Sequence, residues 1–480
     1  MVSGAVPYPH RWRTFWVCAA VAAMTILDLS KVNVALPSIR ESLGGGSTEI
    51  QLIVSGFVLA FGLLLVPMGR LGDQVSPQRL FLIGLVLYAA TSALCALAPS
   101  AEWLIVGRIA QGVAAGIQMP QVMGTLQRVF TGRERGMAFG LLGATIGLGT
   151  ALGPVIGGVF VQLGGGHDGW RGIFWMNVPL ALAIAAVALW ALPDLRPERR
   201  GRISLDPVGV LLFAIAVLAL MVPFLFTTGA PTDDPRRWWA LAIFVPALAA
   251  FIAWEQRYQA RGHAPLVPPG LLRIASFRNG TLLMTAYFAG MPSIFLTTTL
   301  YLQTGLGVGA LAAGATTMGF ALASAAASVV GGRMVGRIGR PLVVLGLVLV
   351  ILSVAGLGVV SAFAEPGAVP WLMAGVLTLG GLGGGMVISP NQTLTLADIP
   401  PQEGGLAGSV GQLVQRIGTA IGTAVTLSLF YATVFGESEA HTQAVVYRDA
   451  YLHGLLAIGA CLALALVFAL LDLRSRRAPR

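Results

Sequence analysis

The chain has 480 residues, of which 56% are hydrophobic and only 10% charged, with 62 glycines and a formal net charge of +10. So apolar a composition excludes a water-soluble globular domain of this length and indicates an all-α polytopic membrane protein. The positive charge does not point to nucleic acid, because the arginines fall in short clusters between apolar runs instead of along one stripe.

In chain order, fourteen apolar runs are long enough to cross ~30 Å of hydrocarbon as helices. They cover residues 14–38, 51–69, 80–98, 102–127, 136–163, 171–192, 206–226, 238–255, 279–302, 311–331, 341–362, 370–397, 404–434 and 450–472. No large soluble region follows the first run, which is therefore expected to remain as a helix and not to be cleaved as a secretory signal.

Placing both termini in the cytoplasm puts 22 of the 30 basic residues on the cytoplasmic side and five outside. The inner set includes Arg70, Arg79, Arg128, Arg133, Arg135, a cluster at Arg196, Arg199, Arg200 and Arg202, and Arg333, Arg337 and Arg340. The outer five are Arg40, Arg171, Arg236, Arg237 and Arg448. Such a bias predicts a multi-pass protein with both ends inside. Arginine replaces lysine everywhere but at Lys31, a composition suggesting a GC-rich bacterial genome and hence the bacterial cytoplasmic membrane.

The chain repeats itself. Gly69-Arg70-Leu71-Gly72-Asp73 joins the second and third runs, and Gly332-Arg333 through Gly339-Arg340 joins the corresponding pair of the last six. Glycines at 140, 149, 153, 157 and 158 in the fifth run are answered by glycines at 404, 408, 411, 418 and 422. Two six-helix halves are predicted, 14–192 and 277–472. Residues 193–276 should form a linker with two extra helices, and 1–13 and 473–480 cytoplasmic ends. Repeats of this kind place the substrate site at their interface, near the bilayer midplane.

Three basic residues, Lys31, Arg108 and Arg416, lie within apolar runs, and Asp28 is the one acid at comparable depth. A charge at that position costs about 2.5–3.5 kcal/mol, so each should face protein or a wet cavity. Asp28 and Lys31 are three residues apart and share a helix face; alternatively Lys31 extends toward outer water. Glycines three and four apart strip one helix face of side chains and let a neighbour approach and slide, and Pro154 removes one backbone bond. Cys18, Cys95 and Cys461 and the five histidines show neither disulfide nor metal-ligand spacing, so no metal or cofactor is expected. A phosphate-binding loop needs Gly-Lys-Ser/Thr, and the single lysine lies in Ser30-Lys31-Val32.

Four stretches together resemble the major facilitator superfamily, specifically its fourteen-helix drug:proton antiporter branch of the EmrB/QacA type. They are Leu27-Asp28 through Asn33-Val34-Ala35-Leu36-Pro37; Gly69-x-Leu71-Gly72-Asp73 with Arg79; Arg108-Ile109-Ala110-Gln111-Gly112; and Gly140-x8-Gly149-x3-Gly153-Pro154-x2-Gly157-Gly158. Phe174-Trp175-Met176-Asn177-Val178-Pro179 and Arg416-Ile417-Gly418 are supporting matches.

The resemblance implies a non-enzymatic, proton-coupled exporter of small amphiphilic molecules such as drugs or antibiotics, working as a monomer among membrane lipids. It assigns proton coupling to Asp28 and Arg108, and gating to Gly69, Gly72, Asp73, Arg79, Arg333, Arg337 and Arg340. The antiporter helix is assigned to Gly140, Gly149, Gly153, Pro154, Gly157 and Gly158. Asp28, Lys31, Asn33, Gln111 and Arg416 are the expected cavity residues.

Two departures stand out. Gln74, Ser76, Pro77 and Gln78 replace the usual basic pattern of the gating loop, and Lys31 occupies an ordinarily apolar or small polar position. Lys31 would favour the carboxylate form of Asp28, and three deep cations against one acid would suit anionic, zwitterionic or neutral cargo. A lipid or lipoconjugate exporter of the same fold is the alternative; an intramembrane enzyme or a channel is the remote one.

Overall fold

The computed structural model describes residues 10–44, 47–164, 168–193, 195, 206–227, 233–437 and 442–475. The arginine cluster at 196–202, the tail arginines Arg476, Arg477 and Arg480 and most of the expected 1–13 segment lie outside the described residues. Every regular element among the described residues is helical, the arrangement that lets a chain satisfy its own backbone hydrogen bonds in hydrocarbon.

The first half comprises α1 (Arg11–Leu43), α2 (Ser47–Gln74), α3 (Pro77–Ala96), α4 (Ala101–Val129), α5 (Gly132–Leu163) and a sixth span broken at Met176 into α6 (Trp170–Trp175) and α7 (Asn177–Ala191). Next come α8 (Pro207–Leu225) and α9 (Ala240–Ala260), then the short α10 (Pro269–Arg273). The second half is α11 (Ala275–Leu300), α12 (Ala310–Ile338), α13 (Arg340–Phe363), α14 (Val369–Thr395), α15 (Gly404–Glu437) and α16 (Gln443–Ser475).

Thirteen spans among the described residues are long and apolar enough to cross a membrane. The expected fourteenth, α4, is as long as its neighbours but carries Arg108, Gln111, Gln118, Gln121 and Gln127, all buried. These buried polar side chains lower its mean hydropathy, while Trp103, Val106 and Ile109 of the same helix stay exposed.

Packing follows the sequence repeat. In the first half α2 pairs with α4, α3 with α4, α1 with α5 and α3 with α7; in the second, α12 pairs with α14, α13 with α14, α11 with α15 and α13 with α16. The halves then meet reciprocally, α5 on α12 and α15 on α2. The second half has an apolar core of its own around Tyr287, Leu347, Leu377 and Phe430, while the core around Phe57, Phe61, Phe81 and Phe139 of the first half continues into Leu406 and Leu413 of α15. The extra helices form a hairpin whose α8 rests on α15 and α2.

Two expected loops are helical. Gly69, Gly72 and Asp73 lie in the last turns of α2, and Gly332 through Ile338 complete α12, leaving only Gly339 between α12 and α13. Gly339 has φ +69°, a left-handed turn that favours glycine. Hydropathy ends these runs early because the helices continue past hydrocarbon into a polar contact zone. We call the face where α1 begins and α16 ends the basic face.

Candidate functional site

The one-turn spacing of Asp28 and Lys31 on α1 turns both side chains into the first half, where they are fully buried. Asp28 Oδ2 accepts from Arg108 Nη1 of α4 at 2.5 Å, and Oδ1 accepts from Asn177 Nδ2 at the head of α7 at 2.7 Å. Lys31 Nζ donates to Asn177 Oδ1 and to the Ile173 carbonyl oxygen, each at 2.6 Å, and lies 3.5 Å from Asp28 Oδ1. The amine thus points inward, not toward outer water.

Arg108 is tied down further. Its Nε donates to the Ile53 carbonyl oxygen at 3.1 Å, its Nη1 to Gln111 Oε1 at 2.6 Å, and its Cζ stands 4.3 Å from the Phe57 ring centroid. Gln111 Nε2 in turn donates to Ser92 Oγ of α3 at 2.8 Å. Two cations and one carboxylate therefore sit in a sealed cluster reached by α1, α2, α3, α4, α6 and α7. A proton taken up on Asp28 would weaken its charge-assisted bonds to Arg108 and Asn177.

Asn177 has a part that sequence reasoning did not give it. It donates to the acid and accepts from the lysine, joining the two through one amide. The available signal was an amide in an apolar run, directly after the break that exposes the Ile173 carbonyl at the end of α6.

Of the expected cavity residues, Asp28, Lys31 and Gln111 are all sealed in this cluster. Asn33 is exposed. Arg416 of α15 lies at the junction between halves, its Cζ 4.0 Å from the ring centroid of Phe61 on α2.

The glycines of α5 serve two neighbours. Those nearest the basic face meet the other half: a Cβ at Gly140 would stand 2.7 Å from the Ser328 carbonyl oxygen of α12, and one at Gly136 would stand 2.5 Å from that of Gly332. Farther along, Gly153 and Gly157 pack on α1 at Ser30 and Lys31, while Gly149 has looser contacts with Ala23 and Ile26. Gly158 has open space beside it, and Pro154 is exposed.

At the basic face, Asp73 closes the other junction. Its carboxylate accepts from the backbone N–H of Leu406 at 2.8 Å and of Gly405 at 3.3 Å, the first turn of α15, where the helix dipole favours an anion. Arg128 Nη2 donates to Asp73 Oδ1 at 2.9 Å and to the Gln402 carbonyl oxygen at 3.0 Å. Gly69 and Gly72 permit this approach: a Cβ on Gly69 would collide with Ser409, and one on Gly72 with the Gln121 amide.

Arg79, Arg333 and Arg337 extend to the surface. Arg340 is instead buried, donating to Asp472 Oδ2 at 2.5 Å and to Asn391 Oδ1. It joins α13, α14 and α16 of one half, so it does not share the contact made by Asp73.

The sequence model of the Major Facilitator Superfamily matches residues 18–423. A probable actinorhodin transporter of Streptomyces coelicolor is 32% identical over 444 residues, covering 91% of this chain and 75% of that protein. The tetracenomycin C resistance and export protein of Streptomyces glaucescens is 30% identical over 430 residues, covering 89% and 77% respectively. Among solved structures, the human organic anion transporter MFSD10 has a TM-score of 0.69 at 15% identity, covering 95% of this chain and all of that one, a likeness of fold.

Proposed function

The chain belongs to the Major Facilitator Superfamily, and from that premise we propose that it exports small amphiphilic drugs or antibiotics across the bacterial cytoplasmic membrane in exchange for protons. Relatives described as a probable actinorhodin transporter and as a tetracenomycin C resistance and export protein support the cargo class. The excess of arginine on the basic face supports placing that face, and both termini, in the cytoplasm.

The observation that carries the reading is the contact chain from Asp28 to the junction between halves. Protonation of Asp28 loosens its bonds to Arg108 and Asn177 and so frees α1 against α4 and α7. The backbone of Lys31 rests on Gly157 of α5, and the other end of α5 rests through Gly136 and Gly140 on α12. A small rotation of α1 is thereby passed to the surface on which the halves rock, with the Asp73 contact holding the cytoplasmic side shut until the turn. An ion gradient supplies ~2.3 kcal/mol per charge per 100 mV.

Purified full-length protein in proteoliposomes, loaded with tetracenomycin C, tests this. Efflux should accelerate under an inward proton gradient and be accompanied by counter-proton movement, and Asp28→Asn should abolish the dependence on the gradient. Efflux that ignores the gradient and moves no protons overturns the antiport while leaving the fold intact.

A further inference from the structure

Gln412 and Arg416 are one turn apart on α15 and present donors that no acceptor among the described residues uses. Gln412 is 8% exposed, and its Nε2 is buried without a hydrogen-bond partner; the Nε of Arg416 is likewise buried and unpartnered. Arg416 contrasts with the other deep cations. Lys31 and Arg108 share Asp28, and Arg340 has Asp472, whereas Arg416 pairs with no acid among the described residues and stands over the face of Phe61 across the junction.

Side chains beside Phe61 at this junction are apolar. Leu413 of the same helix packs toward Gly62 of α2, and Met221 of α8 stands beside that glycine. The acids of the elements packed against α15 are remote in sequence from this point. In α2 they are Glu49 in the first turn and Asp73 in the last; α4 has Glu102 in its first turn; α8 and α11 have none; α16 has Asp449 and Asp472 toward its ends; and the short turn Pro401–Glu403 leading into α15 has Glu403. A guanidinium held between two halves of a membrane protein, with no acid beside it among the described residues, has a strong unmet demand for an acceptor.

We propose that Gln412 and Arg416 form an anion-binding subsite for the carboxylate or phenolate of an aromatic cargo molecule, whose ring extends along the apolar wall beside Phe61. The inference rests on the exporter reading and names the charge class of its cargo. It also relocates the cationic character of the cavity from Lys31, which is sealed away, to Arg416. Arginine suits the task because its fork donates to two oxygens at once, and the amide one turn away supplies another donor on the same face.

The test is equilibrium binding to the full-length protein in nanodiscs, without any gradient, so it is independent of proton coupling. The probes are carboxyfluorescein, an aromatic carboxylate, and tetraphenylphosphonium, a lipophilic cation. Carboxyfluorescein should bind the wild type, lose at least tenfold in affinity in Arg416→Gln and lose less in Arg416→Lys, which keeps the charge without the fork. Gln412→Leu, which removes only the amide, should weaken it severalfold, and each variant is required to keep the wild-type melting temperature within a few degrees.

Tetraphenylphosphonium should not compete. Carboxyfluorescein binding that is equal in wild type and Arg416→Gln, or a wild type that takes the cation and not the carboxylate, overturns the proposal. Loss of binding in Arg416→Gln alongside uncoupled efflux in proteoliposomes would retain the subsite and remove the antiport.

Discussion

Gly157 of α5 lies against the backbone of Lys31 on α1, so close that a Cβ on the glycine would stand 2.8 Å from the lysine carbonyl oxygen and 3.1 Å from its Cα. The glycine-rich helix and the buried charge cluster are therefore parts of one contact. Gly157→Ala should force the helices apart at a cost of ~1–3 kcal/mol, as overpacking does, and displace the amine from Asn177. Gly158, with nothing within 4 Å of an added Cβ, is the matched control. Melting temperature and efflux should both fall in Gly157→Ala and hold in Gly158→Ala; equal behaviour would separate the motif from the cluster.

Lys31→Met addresses the cluster itself. Removing the amine leaves the Ile173 carbonyl and Asn177 Oδ1 without their donor, at about 1–3 kcal/mol for each unsatisfied group. It also relieves the burial of a second cation beside Arg108, a penalty of several kcal/mol. The two terms offset, and Asp28 keeps Arg108, so stability should change little. The charge balance around Asp28 changes from two cations to one, which favours proton uptake in less acidic solution. The efflux profile should move upward by about one pH unit, equivalent to ~1.4 kcal/mol; an unmoved profile would make Lys31 a packing residue.

Much of this arrangement is readable in the sequence for physical reasons. A lone acid and base one helical turn apart in hydrocarbon have to meet inside the protein, and glycines at helical spacing have to face a neighbour. What periodicity does not carry is which neighbour. The α5 glycines divide between α12 and α1, and Asn177 bridges charges from a helix 149 residues away from Asp28. Hydropathy also misplaces the ends of α2 and α12, since a polar turn at a helix junction looks like a loop. Arg340 reads as one more basic-face residue until the fold brings Asp472 of the last helix beside it.

Asp73 provides a measure of how firmly the basic face is shut. Asp73→Asn removes the charge that receives Leu406 N–H, Gly405 N–H and Arg128, and hydrogen bonds to charged groups contribute ~1.5–3 kcal/mol. Losing even one such term shifts a two-state equilibrium about tenfold. With Cys18, Cys95 and Cys461 replaced by Ala and Ser409→Cys introduced under Gly69, maleimide from the basic face should label the Asp73→Asn protein about ten times faster. Labelling at the parent rate would mean that helix packing alone holds the junction.

The Arg340–Asp472 pair makes a different demand, because Arg340, Asp472 and the Asn279 and Asn391 amides bonded to them all belong to one half. Both side chains are almost wholly buried, and Asn279 Nδ2 donates to the second carboxylate oxygen at 3.1 Å. Removing one partner strands a buried charge, so Asp472→Ala should lower stability by about 3–5 kcal/mol. Replacing both with apolar residues of similar volume, Arg340→Met with Asp472→Leu, removes two desolvation penalties together with their attraction, and should recover most of that loss. Efflux per folded molecule should match the wild type in the double variant. A double variant that melts like the parent yet fails to export would assign the pair a role in transport beyond holding α13 to α16.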